Sequence, residues 1–481
     1  MNKFIVFHYI SKILLSASSL FLLPAAVSLY YHEKNSALVF FIIAVVMAVI
    51  TAPLTAIKPK NKQMYAREGL VIVALLWVIF PIIGALPFYI SGEIPSFVDA
   101  IFESISGFTT TGSTILTNIE SLSRGMLFWR SFTHWVGGMG VLVLAIAILP
   151  TSNESMHLMS AECAGPQVGK IVPKGKNTAR YLYIIYAGLT VLTVIFLLFG
   201  GMPLFDSVCH AMGAAGTGGF SIKNNGIAFY DSAYIDGVLT VAMILFGVNF
   251  TMYFFLFSRR IKDVLKNFEL KVYLGIIAVV TGILMLNIYP IYHSVSKCFR
   301  YAVFQVASII TSTGYGTADF TKWSAFAQTL LFMLMFIGAC AGSTGGGLKV
   351  QRIIIMFKSA KKSIKQTLSP KSVNVVKSDD KAMDVSIVHT VHAYLIIYII
   401  LFFASLILIS FNDVDFTTSF TSVTTCINNI GPGLNKVGPV ENFSFYSDFS
   451  KIVLSVDMLL GRLECFPIII LFSPSVWRKK F

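Results

Sequence analysis

Ser312-Thr313-Gly314-Tyr315-Gly316 is a short polar run framed by glycines and set between two long apolar stretches. Backbone of this kind cannot face lipid, where each unsatisfied N–H or C=O costs several kcal/mol, so protein must enclose it or it must line a watery path. A row of carbonyls turned onto such a path replaces the hydration shell of a potassium ion in a selectivity filter. Five residues alone are an ordinary turn string, and so are TTTG, TGGF and NNIG elsewhere in the chain. The reading rests on recurrence: four related runs occur at a period of roughly a hundred residues, with glycines at 112, 219, 314 and 431.

Each run closes a semi-apolar stretch of about a dozen residues, which as a helix reaches only about halfway through a bilayer. A phenylalanine opens the stretch 15 residues before the glycine in the first, third and fourth cases (Phe97, Phe299, Phe416) and 14 before it in the second (Phe205). The pattern predicts a re-entrant helix that dips from the outer face and aims the negative pole of its dipole at the membrane centre, where a cation loses its water. Four such units in one polypeptide can close around a single axis.

The rest of the composition agrees with a membrane setting. The 481 residues are 56% hydrophobic and 12% charged, far from the ~25% charged of soluble domains. Ten stretches are long and apolar enough to span: 13–30, 37–57, 70–90, 126–149, 181–200, 233–257, 272–291, 323–341, 387–411 and 452–472. The first resembles a secretory signal, but its length and the apolar span that follows favour a retained helix. Most of the 37 lysines and arginines follow the even-numbered spans or lie at the two ends. That side is therefore read as cytoplasmic, with both termini on it. The net charge of +14 is thus a matter of topology, and nucleic acid is excluded as a partner. The six cysteines are scattered without metal-ligand spacing and read as small buried hydrophobes.

Several longer strings carry a resemblance: Phe128-Trp129-Arg130-Ser131-Phe132-Thr133-His134-Trp135-Val136-Gly137-Gly138-Met139-Gly140, Thr311 to Gly316, Gly342-Ser343-Thr344-Gly345-Gly346-Gly347-Leu348-Lys349, and Asn428-Asn429-Ile430-Gly431-Pro432-Gly433. The chain resembles, over essentially its whole length, the Trk/Ktr/HKT superfamily of potassium transporters, and its two extra N-terminal spans resemble the TrkH-type branch. The resemblance implies an all-α polytopic membrane protein: an N-terminal hairpin (1–66) followed by four M1-P-M2 units at 67–165, 166–262, 263–365 and 366–481, in pseudo-fourfold arrangement. It further implies potassium uptake across the bacterial inner membrane by a homodimer embedded in lipid. A cytoplasmic, TrkA-like Rossmann-type subunit that binds NAD or ATP would regulate it. No cofactor is expected in this chain beyond the transported K⁺.

The filter is predicted from Thr110, Thr111 and Gly112; Thr217, Gly218 and Gly219; Ser312, Thr313 and Gly314; and Asn429, Ile430 and Gly431. Glycine enters φ > 0 freely and lets neighbouring carbonyls face the axis. In relatives that pass sodium the first such glycine is often serine, so Gly112 favours potassium. A gate is predicted at Gly342, Ser343, Thr344, Gly345, Gly346 and Gly347, where glycine is too dense to hold a helix. The alternative there is close packing through small residues. Arg462, a charge inside a span, is predicted to face the pore and repel cations, with a plain salt bridge as the alternative. Arg130 and His134, at i, i+4, read as a structural pair. Asp319 is either a cation-concentrating or a merely solvated carboxylate at the mouth, and His389 and His392 are structural.

An enzyme is excluded: neither a nucleophile with its base nor a zinc motif such as HExxH occurs. The competing reading is a secondary transporter of another cation, coupled to Na⁺ or H⁺, with a midplane site at broken helices. It predicts repeats of alternating orientation, whereas all four glycine runs follow odd-numbered spans.

Overall fold

The computed structural model of the protein describes residues 1, 3–57, 65–140, 175–370, 375–378 and 381–477. The distal part of the fourth predicted span (141–149), Cys163, and the basic residues Lys58, Lys60, Lys62, Lys170, Lys174, Lys371 and 478–480 lie outside them. The described chain is helical apart from one two-residue antiparallel ribbon, Lys377–Ser378 against Lys381–Ala382.

Among the described residues six helices are long and apolar enough to cross a bilayer: Lys3–Tyr30, Lys34–Ala56, Arg67–Ile90, Arg180–Phe199, Phe268–Tyr292 and Val385–Ser410. The first two form the N-terminal hairpin, and the other four open the four repeating units. Proline lies inside four of these helices, at Pro24, Pro53, Pro81, Pro87 and Pro290, as bilayer helices tolerate. The hairpin docks on the first unit: both Glu33 carboxylate oxygens accept backbone N–H bonds, from Arg124 (2.7 Å) and Gly125 (3.0 Å), at the free N-terminus of helix Arg124–Gly138.

The helices that close the units are less regular. The sequence predicts a break only in the eighth span, and that break is present: helix Ala325–Ile337 stops, and helix Val350–Leu368 resumes after twelve residues of loop. The sixth span, predicted as continuous, is two helices, Ala233–Phe246 and Phe250–Phe257, bent by 90°. Asn249 caps the second of them by accepting the Thr251 N–H at 2.9 Å, and the Phe250 N–H leaves the helix ladder for the Gly342 carbonyl at 3.0 Å. The tenth span breaks after Arg462, where Glu464 and Cys465 both take left-handed φ, at 52° and 64°.

Between the two helices of each unit lies a short one: Phe97–Phe108, Leu204–Gly216, Val295–Ile310 and Phe416–Ile427. Three begin on a capping side chain: Ser96, Ser294 and Asp415 accept N–H bonds from Asp99, Lys297 and Thr418. The helix after Pro203 carries Asp206 in its first turn. These residues favour the helix N-termini electrostatically. Burial pushes the Asp415 carboxyl up, but bonds from the Thr418 hydroxyl and amide and from Asn435 outweigh it and hold the group below the usual carboxylate range. All four C-termini meet at one centre, so the units are parallel copies. The fold is an all-α polytopic membrane protein with four M1-P-M2 units in pseudo-fourfold arrangement and an added hairpin.

Candidate functional site

Each short helix ends in the same backbone turn. The first residue is left-handed (Thr110, Thr217, Ser312, Asn429; φ 52° to 57°), and two residues later comes a glycine with φ between 77° and 95°, Gly112, Gly219, Gly314 and Gly431. The first position strains a β-branched residue such as threonine; the third is where glycine is required. It is required twice over, because the space beside each glycine is already occupied by a neighbouring unit.

A Cβ on Gly112 would strike the Gly218 carbonyl oxygen, one on Gly219 the Thr313 oxygen, one on Gly314 the Ile430 oxygen, and one on Gly431 the Thr111 oxygen, all inside 3.0 Å. The contacts run from first to second, second to third, third to fourth, and fourth back to first. The four turns therefore close into a ring, each glycine abutting the middle carbonyl of the next turn. Side chains lock the last junction: Asn429 Nδ2 donates to Thr111 Oγ1 and to the Met458 carbonyl, both at 2.9 Å, and Ser113 Oγ donates to the Gly431 carbonyl at 3.3 Å. At the junction of the second and third units the buried Tyr315 hydroxyl donates to the His210 carbonyl at 3.0 Å.

Above the glycines opens a cavity of about 400 Å³ that touches all four of them together with Ser113, Phe220, Tyr315 and Pro432. Asp319 lines it, pairs with Lys322 at 3.3 Å and caps the Thr321 N–H at 3.1 Å. Below the ring lies a smaller cavity of about 100 Å³, lined by Gly342, Ser343, Gly345, Gly346 and Gly347 with Lys349, Arg462 and Glu464. Four three-residue turns separate the two spaces, and the dipoles of four helices end on them. Such an arrangement presents carbonyl oxygens to a cation and offers nothing comparable to an anion.

The glycine loop of the eighth span sits against the inner ends of these turns. Gly346 N–H donates to Ser312 Oγ at 2.5 Å, and a Cβ on Gly345 would meet the Thr311 carbonyl at 2.8 Å. The loop is fastened at several points: Cys340 N–H to the Gly247 carbonyl (3.1 Å), Val350 N–H to the Ala339 carbonyl (3.0 Å), Ala341 N–H to Glu269 Oε1 (2.6 Å) and Thr344 Oγ1 to the Phe246 carbonyl (3.2 Å). Lys349 donates its ammonium to the Gly345 carbonyl. The residues proposed as a gate thus form a folded loop that bridges the third turn and the bend of the second unit.

Arg462 ties this loop to the first unit. Its guanidinium donates to the Thr344 carbonyl (2.8 Å), to the carbonyls of Gly137 and Gly138 (2.7 Å to the latter), and to Thr110 Oγ1 at 3.3 Å. One residue pair further out, Arg352 stacks over the Tyr394 ring at 4.2 Å and pairs with Glu464 across the break in the tenth span.

Sequence reasoning missed the fastenings behind the ring. Arg130 and His134 share a helix face but do not pair with each other. Arg130 pairs with Glu103 at 2.8 Å, both side chains at most 1% exposed, while His134 joins the Gly107 carbonyl (2.7 Å) and accepts the Phe220 N–H (3.1 Å). The signal available was Glu103 itself, a carboxylate in the middle of a re-entrant helix, where a buried charge requires a partner. His389 and His392 gather no other ligand, and no cluster of three metal-ligating side chains occurs among the described residues.

Residues 35–479 match the family described as TrkH, cation transport protein. The chain is 36% identical over 472 residues to the Trk system potassium uptake protein TrkH of Salmonella typhimurium, covering 96% of each chain. It is 32% identical to the Trk system potassium uptake protein TrkG of Escherichia coli, covering 95% of this chain and 94% of the other. Its structure is similar to the crystal structure of the potassium transporter TrkH from Vibrio parahaemolyticus, with a TM-score of 0.89 at 31% identity over 99% of this chain and 100% of that one.

Proposed function

The chain belongs to the TrkH family of cation transport proteins, and from that premise we propose that it takes up potassium across the bacterial inner membrane, with the ring of glycine turns as its selectivity filter. One observation carries the reading: four turns from four parallel units abut one another in cyclic order, so their carbonyls converge on one axis. Carbonyls so held exchange for the water of one dehydrated cation. The wide cavity above the glycines serves as the outer vestibule and the small one below as the inner.

The loop from Gly342 to Gly347 acts as the gate, since it occupies the inner side of the ring and is held by hydrogen bonds that a helix movement can break. Arg462 holds the closed arrangement and places positive charge beside the path. Helix Val350–Leu368, continuous with the loop, carries Lys358, Lys361, Lys362 and Lys365 on the basic side of the molecule. A cytoplasmic nucleotide-binding subunit pulling on this helix would move the loop directly. We extend the proposal to a homodimer, each protomer with its own pore, and to cytoplasmic termini, by the distribution of basic residues.

Reconstitution in liposomes tests the proposal. Rb⁺ uptake should exceed Na⁺ uptake and be competed by K⁺; equal uptake of both ions, or none, would defeat the filter assignment. Imposing Na⁺ or pH gradients on the same vesicles decides between coupled and passive flux.

A further inference from the structure

The residue nine positions before the filter glycine is Glu103 in the first unit, His210 in the second, Gln305 in the third and Ser422 in the fourth. All four are polar and at most 1% exposed, in the middle of a re-entrant helix. Three of them reach the strand that climbs outward from the glycine. Glu103 accepts the Thr114 hydroxyl (3.0 Å) and the Ile115 N–H (3.0 Å). His210, its Nδ1 on the Asp206 carbonyl at 2.8 Å, meets Ser221 Oγ through Nε2 at 3.1 Å. Gln305 donates to the Ala318 carbonyl at 3.0 Å. Ser422 instead meets the Tyr446 hydroxyl at 2.9 Å, far past the glycine in sequence.

The first unit differs in kind as well as reach. Glu103 is ionically paired with Arg130, whose guanidinium also donates to the Ser221 carbonyl at 3.0 Å and lies 4.1 Å from the centre of the Phe220 ring. One buried ion pair therefore grips the exit strands of two adjacent units, on both sides of the Gly112–Gly218 contact. Charge-assisted hydrogen bonds of this sort are about twice as strong as neutral ones, and the neutral struts in the second and third units each hold one strand.

We propose that Glu103 is a positioning residue that determines specificity: together with Arg130 it fixes the spacing of the filter carbonyls at the first two units, so that cation discrimination depends on this strut far more than on its counterpart in the fourth unit. Selectivity by carbonyls depends on how many oxygens are held, and how firmly, around the ion. A strut that anchors two of four turns acts on half the ring at once. The proposal rests on the ring being the ion path.

Thr114→Val tests it, because it removes the hydroxyl that donates to Glu103 and accepts from Arg130 Nη2 (3.4 Å) and the Leu116 N–H (3.1 Å), while keeping volume and the Glu103–Arg130 ion pair. In liposomes, Thr114→Val and Glu103→Gln should each lower the K⁺/Na⁺ uptake ratio at least ~fivefold and raise the KM for K⁺, while Ser422→Ala shifts the ratio less than ~twofold. Thr114→Ser, which restores the hydroxyl, should recover the wild-type ratio. A Thr114→Val protein with wild-type ratio and KM overturns the proposal, as does a Ser422→Ala protein as impaired as it. Glu103→Gln leaves a buried guanidinium without its partner; if that variant does not fold, the two Thr114 variants decide. Failure of the wild type itself to prefer K⁺ would reject the ion path, a result separate from any difference among variants.

Discussion

The Gly218 carbonyl oxygen fills the space that a side chain on Gly112 would need. The two residues belong to different units, yet neither can change without the other moving, and the same relation repeats around the ring. Gly112→Ser must therefore displace a carbonyl of the neighbouring turn and also hold a non-glycine residue at φ 83°, where an L-residue is strained by roughly 1–2 kcal/mol. The expected outcome is folded protein whose K⁺/Na⁺ permeability ratio falls about tenfold, equivalent to ~1.4 kcal/mol. Unchanged reversal potentials under bi-ionic conditions would count against the assignment of this ring as the filter.

Arg462 bridges the loop carbonyl of Thr344 and the helix-end carbonyls of Gly137 and Gly138. Arg462→Gln shortens the side chain and removes the charge, so the loop loses a tether and the proposed ion path loses a positive charge beside it. Both effects act in one direction. Rb⁺ influx should rise on the order of tenfold, a barrier lower by ~1.4 kcal/mol; influx equal to wild type at matched protein density would retire this role.

Shortening the loop by deleting 342–346 removes the residues that lie against Ser312 and Thr311 while leaving the Ala341 N–H free to keep its bond to Glu269. Uptake of Rb⁺ into liposomes should increase. A drop in uptake with normal expression points instead to close packing through small residues as the reason for the glycines.

Glu33→Ala probes the hairpin rather than the pore. The substitution strips two N–H groups at the start of helix Arg124–Gly138 of their acceptor, a capping loss of about 1 kcal/mol. Thermal unfolding in detergent should begin a few degrees lower, with the K⁺/Na⁺ ratio intact. A changed ratio would mean that the hairpin is coupled to the filter.

Much of this was readable from residue order because its causes are local. A turn that needs φ > 0 three or four residues after a helix end leaves glycine at that place four times, so Gly112, Gly219, Gly314 and Gly431 mark the ring without any structure. The loop from Gly342 to Gly347 is legible for a related reason, since no helix survives that density of glycine. The bend at Gly247–Asn249 and the break at Leu463–Cys465 were not legible. Glu464 and Cys465 are held left-handed by their surroundings, and such tertiary strain leaves no mark in residue type. Of the partners of Arg130 and His134, Glu103 left a signal as a carboxylate in a re-entrant helix, whereas Ser221 and Phe220 belong to the next unit and only the packing of two units brings them near.

The bond from Asn429 to Thr111 joins residues 318 apart in the chain, and this distance has a bearing on biogenesis. Contacts so remote in sequence form late and slowly, and no product of the ribosome shorter than 429 residues contains both ends. A chain that stops short of Asn429 has at most three of the four turns, so the ring stays open until the last unit has been made and folded against the first.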